Sequence, residues 1–163
     1  MRKTPVFVLG FLFLVGLALA VEPPQMKEGL WSVRTQTTDN PGNVKRDFTQ
    51  KLCRSHAYDQ RVLELAKNMK GCKAVSENFT GGTYTVESEC NVLGAVIKSK
   101  ATTTFQGDTA FRSESHATYT PAFQGVSETT VIVDQKYLGA CPTGVQPGDR
   151  IAADGSITHT WRH

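Results

Sequence analysis

From residue 30 to residue 38 the chain reads LWSVRTQTT, with Trp31, Val33 and Thr35 alternating with their neighbours. A period of two is the pattern of a strand with one covered face. Asp39-Asn40-Pro41-Gly42-Asn43 is a cluster of turn residues. Residues 44–53 (VKRDFTQKLC) then place Val44, Phe48 and Leu52 on one face with charges between them. This predicts a second strand, hairpinned to the first. The period changes after Ser55. Tyr58, Val62, Leu65, Ala66 and Met69 recur every three or four positions. Residues 56–70 therefore predict an amphipathic helix, capped by Ser55 and stopped by Gly71.

Beyond the helix the period of two returns. Residues 73–79 and 83–91 flank Gly81-Gly82 and predict a hairpin. Residues 94–106 are rich in Val, Ile and Thr, and Gly107-Asp108 turns the chain. Residues 110–120 and 125–138 predict two more strands, separated at Pro121. A three-residue loop at 107–109 pairs Phe105 with Phe111. That register puts Ala101, Thr103, Ser113, Ser115 and Ala117 on one face with Ile97 and Tyr119. After Cys141 the chain is punctuated by Pro142, Gly144, Pro147, Gly148 and Gly155. Residues 142–163 read as a surface appendage with a short hairpin at Asp154-Gly155.

The first twenty residues follow neither period. Arg2 and Lys3 precede an almost wholly apolar run from Val6 to Leu19, and Ala18-Leu19-Ala20 leads into Val21-Glu22-Pro23-Pro24. A basic start, an apolar stretch shorter than the roughly 20 residues of a spanning helix, and a small-x-small site describe a signal peptide cleaved after Ala20. No other segment is apolar enough to span a bilayer, so no membrane span is expected after cleavage. The full chain of 163 residues has a formal charge of +3 from 18 basic and 15 acidic residues. Cleavage removes Arg2 and Lys3 and leaves +1. A near-neutral chain lacks the basic footprint of a nucleic-acid binder. One domain is the expectation at this length.

All four cysteines, Cys53, Cys72, Cys90 and Cys141, lie after the leader. An even count in an exported chain predicts two disulfides, and four cysteines allow three connectivities. Cys72 and Cys90 each stand nine positions from Gly81. A three-residue loop would set them opposite each other; a two-residue turn would offset them by one. The hairpin favours Cys72–Cys90 and leaves Cys53–Cys141. No CxxC spacing is present, so these cysteines do not read as a zinc site.

Chemistry-bearing motifs are sparse. The chain contains no GxSxG elbow, phosphate loop, HExxH or dinucleotide fingerprint. His56 opens the helix. His159 and His163 have metal-clasp spacing but belong to the tail. His116 shares a strand face with Glu114 and supplies the alternative of a hydrolase-type site. No cofactor, metal or catalytic residue is assigned. The more suggestive feature is one sheet face with small residues at its centre (Ala101, Ser113, Ser115, Ala117) and aromatics at its ends (Phe105, Phe111, Tyr119). On a curved sheet this either receives the helix or leaves a partly apolar pocket.

The ordered set of Met26-Lys27-Glu28-Gly29-Leu30-Trp31, a Cys before a helix at Cys53, then Cys72, Cys90, Leu138-Gly139-Ala140-Cys141 and Pro147-Gly148-Asp149 resembles the bacterial envelope family known as domain of unknown function 3617. The resemblance covers nearly all of the chain after the leader except residues 150–163. It implies an exported, disulfide-bonded bacterial protein and carries over no activity and no catalytic residue.

The expectation is a mainly β protein: a curved antiparallel sheet, an incomplete barrel made by a meander of about seven strands, with one helix packed on it. Residues 1–20 are the signal peptide, 21–141 the sheet domain and 142–163 the appendage. The expected function is a non-enzymatic periplasmic or secreted factor for binding an apolar ligand or maintaining the envelope. The alternatives are a protein-interaction module using a sheet edge or face, with an envelope protein as partner, and a hydrolase at His116.

Overall fold

The computed structural model describes residues 23–41 and 44–160, so the leader expected at residues 1–20 lies outside the described residues. Seven long strands form the sheet: β1 (Gly29–Asn40), β2 (Val44–Arg54), β3 (Cys72–Thr80), β4 (Thr83–Val92), β5 (Ala95–Gln106), β6 (Ala110–Phe123) and β7 (Val126–Gly139). Helix α1 (His56–Lys67) lies between β2 and β3. Two short strands, β8 (Arg150–Ile151) and β9 (Ile157–Thr158), follow. The spatial order is β3-β4-β5-β6-β7-β1-β2-β8-β9, and each ladder is antiparallel.

The fold class is the expected one: an open antiparallel sheet with a single helix among the described residues. The meander is broken in one place. β3 to β7 run in sequence order, but β1 joins β7 and carries β2 outward, so β2 and β3 are the two ends of the seven-strand array. Alternating directions over seven strands leave β2 and β3 parallel to each other. They cannot close the sheet with one more antiparallel ladder. Helix α1, about 18 Å long at 1.5 Å per residue, carries the chain back from the end of β2 to the start of β3.

Two faces result from the alternation. One carries Trp31, Val33, Leu52, Val86, Ala101, Val131 and Val133; the other carries Arg34, Asp47, Glu87, Lys100, Arg112 and Asp134. The first face holds the buried Trp31, Val33 and Leu52, and we take it as the inner face, or trough, of the expected curved sheet. Arg54 at the end of β2 places its guanidinium carbon 4.9 Å from the ring centroid of Trp31 on β1 and 5.4 Å from that of Phe111 on β6, three strands along the sheet.

Burial is concentrated at one end of this trough. Trp31 is fully buried, and Met26, Val33 and Leu52 are also buried; Cys53 and Val145 are buried outside the trough, and Ala95 at the start of β5. The segment before β1 crosses that end as a strap. Lys27 N–H donates to the Asp108 carbonyl (3.0 Å), and the Lys27 carbonyl accepts from the Trp31 indole (2.9 Å). At the β2 edge of the sheet Cys53 exchanges backbone hydrogen bonds with the tail, donating to Asp149 O (3.1 Å) and accepting from Gly148 N (2.8 Å). The appendage is thus anchored, and β8 pairs with Lys51 and Leu52 before turning into β9.

Three expectations are corrected in detail. The close packing of the helix against the sheet does not occur: α1 buries none of its residues, and residues 61–70 are all exposed. The helix connects two distant parallel strands, and its first turn is tied to Arg54 through Asp59 and to the strap through His56. The helix also ends at Lys67, with Asn68 as its C-cap, rather than running to residue 70. Finally, Pro121 does not end its strand. β6 continues to Phe123, while its ladder to β7 shifts register between Thr118 and Phe123.

Candidate ligand-binding face

The β5–β6 register places the seven face residues as their alternation predicts. Phe105 lies opposite Phe111, Ala101 opposite Ser115, and the pairs Thr103–Ser113, Ser99–Ala117 and Ile97–Tyr119 fill the rest of the row. Ala101, Phe105, Phe111, Ser113, Ser115, Ala117 and Tyr119 are all half-buried. Neighbouring strands extend the strip. Val86 lies beside Ala101 on β4, and Val131 and Val133 lie beside Ser115 and Ser113 on β7.

Four hydroxyls of this strip form two pairs, and Ser115 forms none. Ser88 and Ser99 Oγ are 2.7 Å apart, and Thr103 Oγ1 donates to Ser113 Oγ at 3.0 Å. Side chains whose polar atoms are satisfied sideways present mainly carbon to the trough, so Ser88, Ser99, Thr103 and Ser113 add to the apolar floor of Ala101, Ala117 and Val86. Small volume at the centre keeps that floor low.

Both ends of the strip are built up. At the Trp31 end, Phe105 and Phe111 have centroids 5.7 Å apart, and Phe79 and Trp31 extend the cluster at 6.2 Å on either side. Arg54 closes this end. Its side chain is 11% exposed, forms a two-pronged pair with Asp59 in the first turn of α1 (both contacts 2.9 Å), and donates to Gln135 at 3.0 Å. His56 ties the strap to the helix: its ring Nε2 lies 2.9 Å from the Met26 carbonyl, and its backbone N–H donates to Glu28 at 2.8 Å. At the far end Tyr119 stacks on Phe123 with centroids 6.4 Å apart. There the buried Asp39 accepts from Arg46 (2.6 Å) and Thr129 (2.8 Å).

The charge of the trough lies at its ends and rims. Arg54 is neutralised by Asp59, and Arg46 by Asp39. Tyr84, on β4, donates to Glu77 on the edge strand β3 at 3.0 Å. Burial, together with that carboxylate, pushes its hydroxyl up to about 12, so it stays protonated.

His116 lies on the other face. A shallow depression there is lined by Lys100, Thr102, Thr104, Arg112, Glu114 and His116. The His116 ring Nδ1 is 3.3 Å from the Thr130 hydroxyl, so its hydrogen-bond partner is a hydroxyl rather than a carboxylate. Lys100 pairs with Glu87 at 3.0 Å and Arg112 with Asp134 at 2.8 Å. The depression and the seven-residue strip are therefore on opposite sides of the same two strands.

Both disulfides have the expected pairing, Cys53–Cys141 and Cys72–Cys90, and no described cysteine is free. They bracket the sheet: the first joins β2 to the tail, and the second lies at the start of β3. With this framework in place, the match of the family "Protein of unknown function (DUF3617)" to residues 26–141 decides the kinship. The chain belongs to the DUF3617 family. The matched region begins at the strap and ends at Cys141, so the DUF3617 region holds the whole trough and both disulfides. No curated protein matches the chain. His159, which the match does not reach, lies 2.9 Å from Asp149. Among the described residues no group of three or more His, Cys, Asp or Glu side chains is arranged to hold a metal ion.

Sequence reasoning did not single out Arg54 and Asp39. Arg54 was detectable by its parity: it stands two positions from Leu52 and therefore faces the trough. Asp39 follows Trp31 by eight positions on the same face, but it reads equally well as the first residue of a turn cluster.

Proposed function

We propose that this protein is an exported, non-enzymatic binding factor of the bacterial envelope whose concave face takes an elongated apolar ligand, in the service of envelope maintenance. The observation that carries this reading is the exposure of residues 61–70 of the helix segment, which leaves the strip of small residues without a described covering element. The strip runs from Phe111 to Tyr119, about 27 Å at roughly 3.4 Å per strand residue. Ala101, Ala117, Val86, Val131 and Val133 make most of its floor apolar and four of its hydroxyls are paired with one another, which favours chain-like hydrocarbon over a ligand dense in hydrogen-bonding groups, with Ser115 left to meet one polar group.

Export to the periplasm or beyond, after cleavage at Ala20, is part of the same proposal. Two disulfides support an oxidising compartment. No described helix is long and apolar enough to cross a membrane. The hydrolase reading at His116 draws less support, because that ring faces a threonine hydroxyl on an exposed surface.

A second reading has an observation of its own. β3 is an end strand of the sheet and presents an unpaired edge on which an extended segment of an envelope protein could add a strand. Native mass spectrometry of protein purified from its own periplasm separates the two. A released co-purified lipid-like mass supports the trough. A ligand-free protein that is retained by an envelope partner supports the edge instead.

A further inference from the structure

We propose that the Leu93 end of the sheet docks onto an anionic bilayer surface, with Leu93 and Met69 as apolar anchors and Lys67 and Lys70 beside Met69. Val92 pairs with Ala95, so β4 and β5 are joined by the two-residue turn Leu93-Gly94. Both turn residues have positive φ, 48° at Leu93 and 84° at Gly94. Asn-Gly is the favoured pair in such a turn, and leucine is uncommon in this region because its Cβ crowds the backbone. The equivalent turn between β6 and β7 carries Gln124 at φ 50°. Leu93 gains nothing within the chain for this conformation: it is 87% exposed. A large apolar side chain in a disfavoured conformation at a hairpin tip is placed for contact with something outside the chain.

Met69, 55% exposed, is brought to the same end. It lies three residues before Cys72, and Leu93 lies three residues after Cys90, the disulfide partner of Cys72. Asn91 N–H donates to the Gly71 carbonyl at 2.7 Å, which binds the two segments again. Between Glu64 and Glu77 the chain carries Lys67, Lys70 and Lys73 and no acid, whereas on β5 Lys98 and Lys100 lie opposite Glu89 and Glu87. Lys73 pairs with Glu89 at 3.2 Å, and Lys100 with Glu87. Lys67 and Lys70 stand within two residues of Met69, and aliphatic anchors flanked by such lysines match a phosphate-rich lipid interface. Protein interfaces instead enrich aromatics and arginine and deplete lysine. This inference is independent of the ligand reading of the trough, since an empty trough leaves the tip unchanged.

The test is vesicle flotation of the chain beginning at Val21, which holds every described element. Vesicles of equal parts phosphatidylcholine and phosphatidylglycerol should carry the protein upward, pure phosphatidylcholine should not, and added salt should release it. Leu93→Asn should weaken partitioning about tenfold, the worth of one buried leucine side chain. Its melting temperature should hold or rise, because Asn tolerates the turn conformation. Lys67→Gln with Lys70→Gln should weaken it about fivefold per lysine and flatten the salt dependence; this exposed pair gives the reading if Leu93→Asn melts early. A parent protein that stays with the aqueous phase in both preparations overturns the proposal and points the tip toward a protein partner. A folded Leu93→Asn that floats like the parent also overturns it.

Discussion

Cys72 lies directly opposite Cys90 across β3 and β4, although the turn joining these strands has only the two residues Gly81 and Gly82. The ladder runs regularly from Thr80–Thr83 to Ser76–Glu87 and resumes at Ala74–Ser88, leaving Val75 without a partner. A bulge at Val75 absorbs the one-residue offset and brings the sulfurs together. Deleting Val75 should therefore leave a regular ladder with the same cysteine pair opposed. Non-reducing peptide mapping of the deletion variant should still find the Cys72–Cys90 peptide. Free thiols at both positions would show that the bulge does not set this register.

The two bridges close loops of different length, with sequence separations of 18 for Cys72–Cys90 and 88 for Cys53–Cys141. Chain-entropy reasoning assigns about 3 kcal/mol to the shorter loop and about 4.5 kcal/mol to the longer. Replacing Cys53 and Cys141 together by Ser should lower stability in urea more than replacing Cys72 and Cys90 together. The reverse order would mean that the tail contributes little beyond its bridge.

Arg54 joins three elements through one guanidinium: the first turn of α1 through Asp59, β7 through Gln135, and the Trp31 ring. Its removal leaves the partly buried Asp59 carboxylate without its cation. Arg54→Met, which keeps hydrocarbon over Trp31, should cost about 2–3 kcal/mol in chemical denaturation. A double-mutant cycle with Asp59→Asn should show clear coupling. Additive losses would place the role of Arg54 in packing alone.

Much of this arrangement was legible in the residues, and the illegible parts have identifiable causes. Gly107-Asp108 marked a short loop, and that alone set the Phe105–Phe111 register and hence the face. Strand order was not legible, because alternation reports which side of a sheet a residue faces and not which strand lies beside it. The adjacency of β1 and β7 is such a long-range choice. The stripe of Tyr58, Val62, Leu65 and Met69 predicted a covered helix, yet Val62, Leu65 and Met69 are exposed. Periodicity makes a helix amphipathic; it does not supply the surface that covers it. Arg54 escaped notice because a charge beside Cys53 reads as surface until its partner Asp59 is in place.

Acid should loosen the tail. Asp149 is buried, and the Gln146 backbone N–H first, then His159, hold its carboxyl below the ordinary value of 3.8. A depressed value in the folded state means stability that is present above the ordinary value and lost as pH falls through the folded one. The melting-temperature gap between the parent and Asp149→Asn should therefore narrow as pH drops below 3.8. A gap independent of pH would remove Asp149 ionisation from the account.

Export has a direct check. Protein recovered from the envelope fraction should begin at Val21 on N-terminal sequencing. A chain beginning at Met1 would contradict cleavage after Ala20.

The central claim is that the concave face is open and receives an apolar guest. Ala101 lies at its centre, opposite Ser115 and beside Val86. The decisive measurement is titration of a fluorescent lipid probe into the parent protein and Ala101→Phe, with thermal melts of both. The parent should bind the probe. The variant should lose that binding and melt close to the parent, because a larger side chain costs about 1–3 kcal/mol only where the space is already full. A parent that binds no probe, with a variant that melts clearly earlier, would mean that the face is filled and would contradict the account.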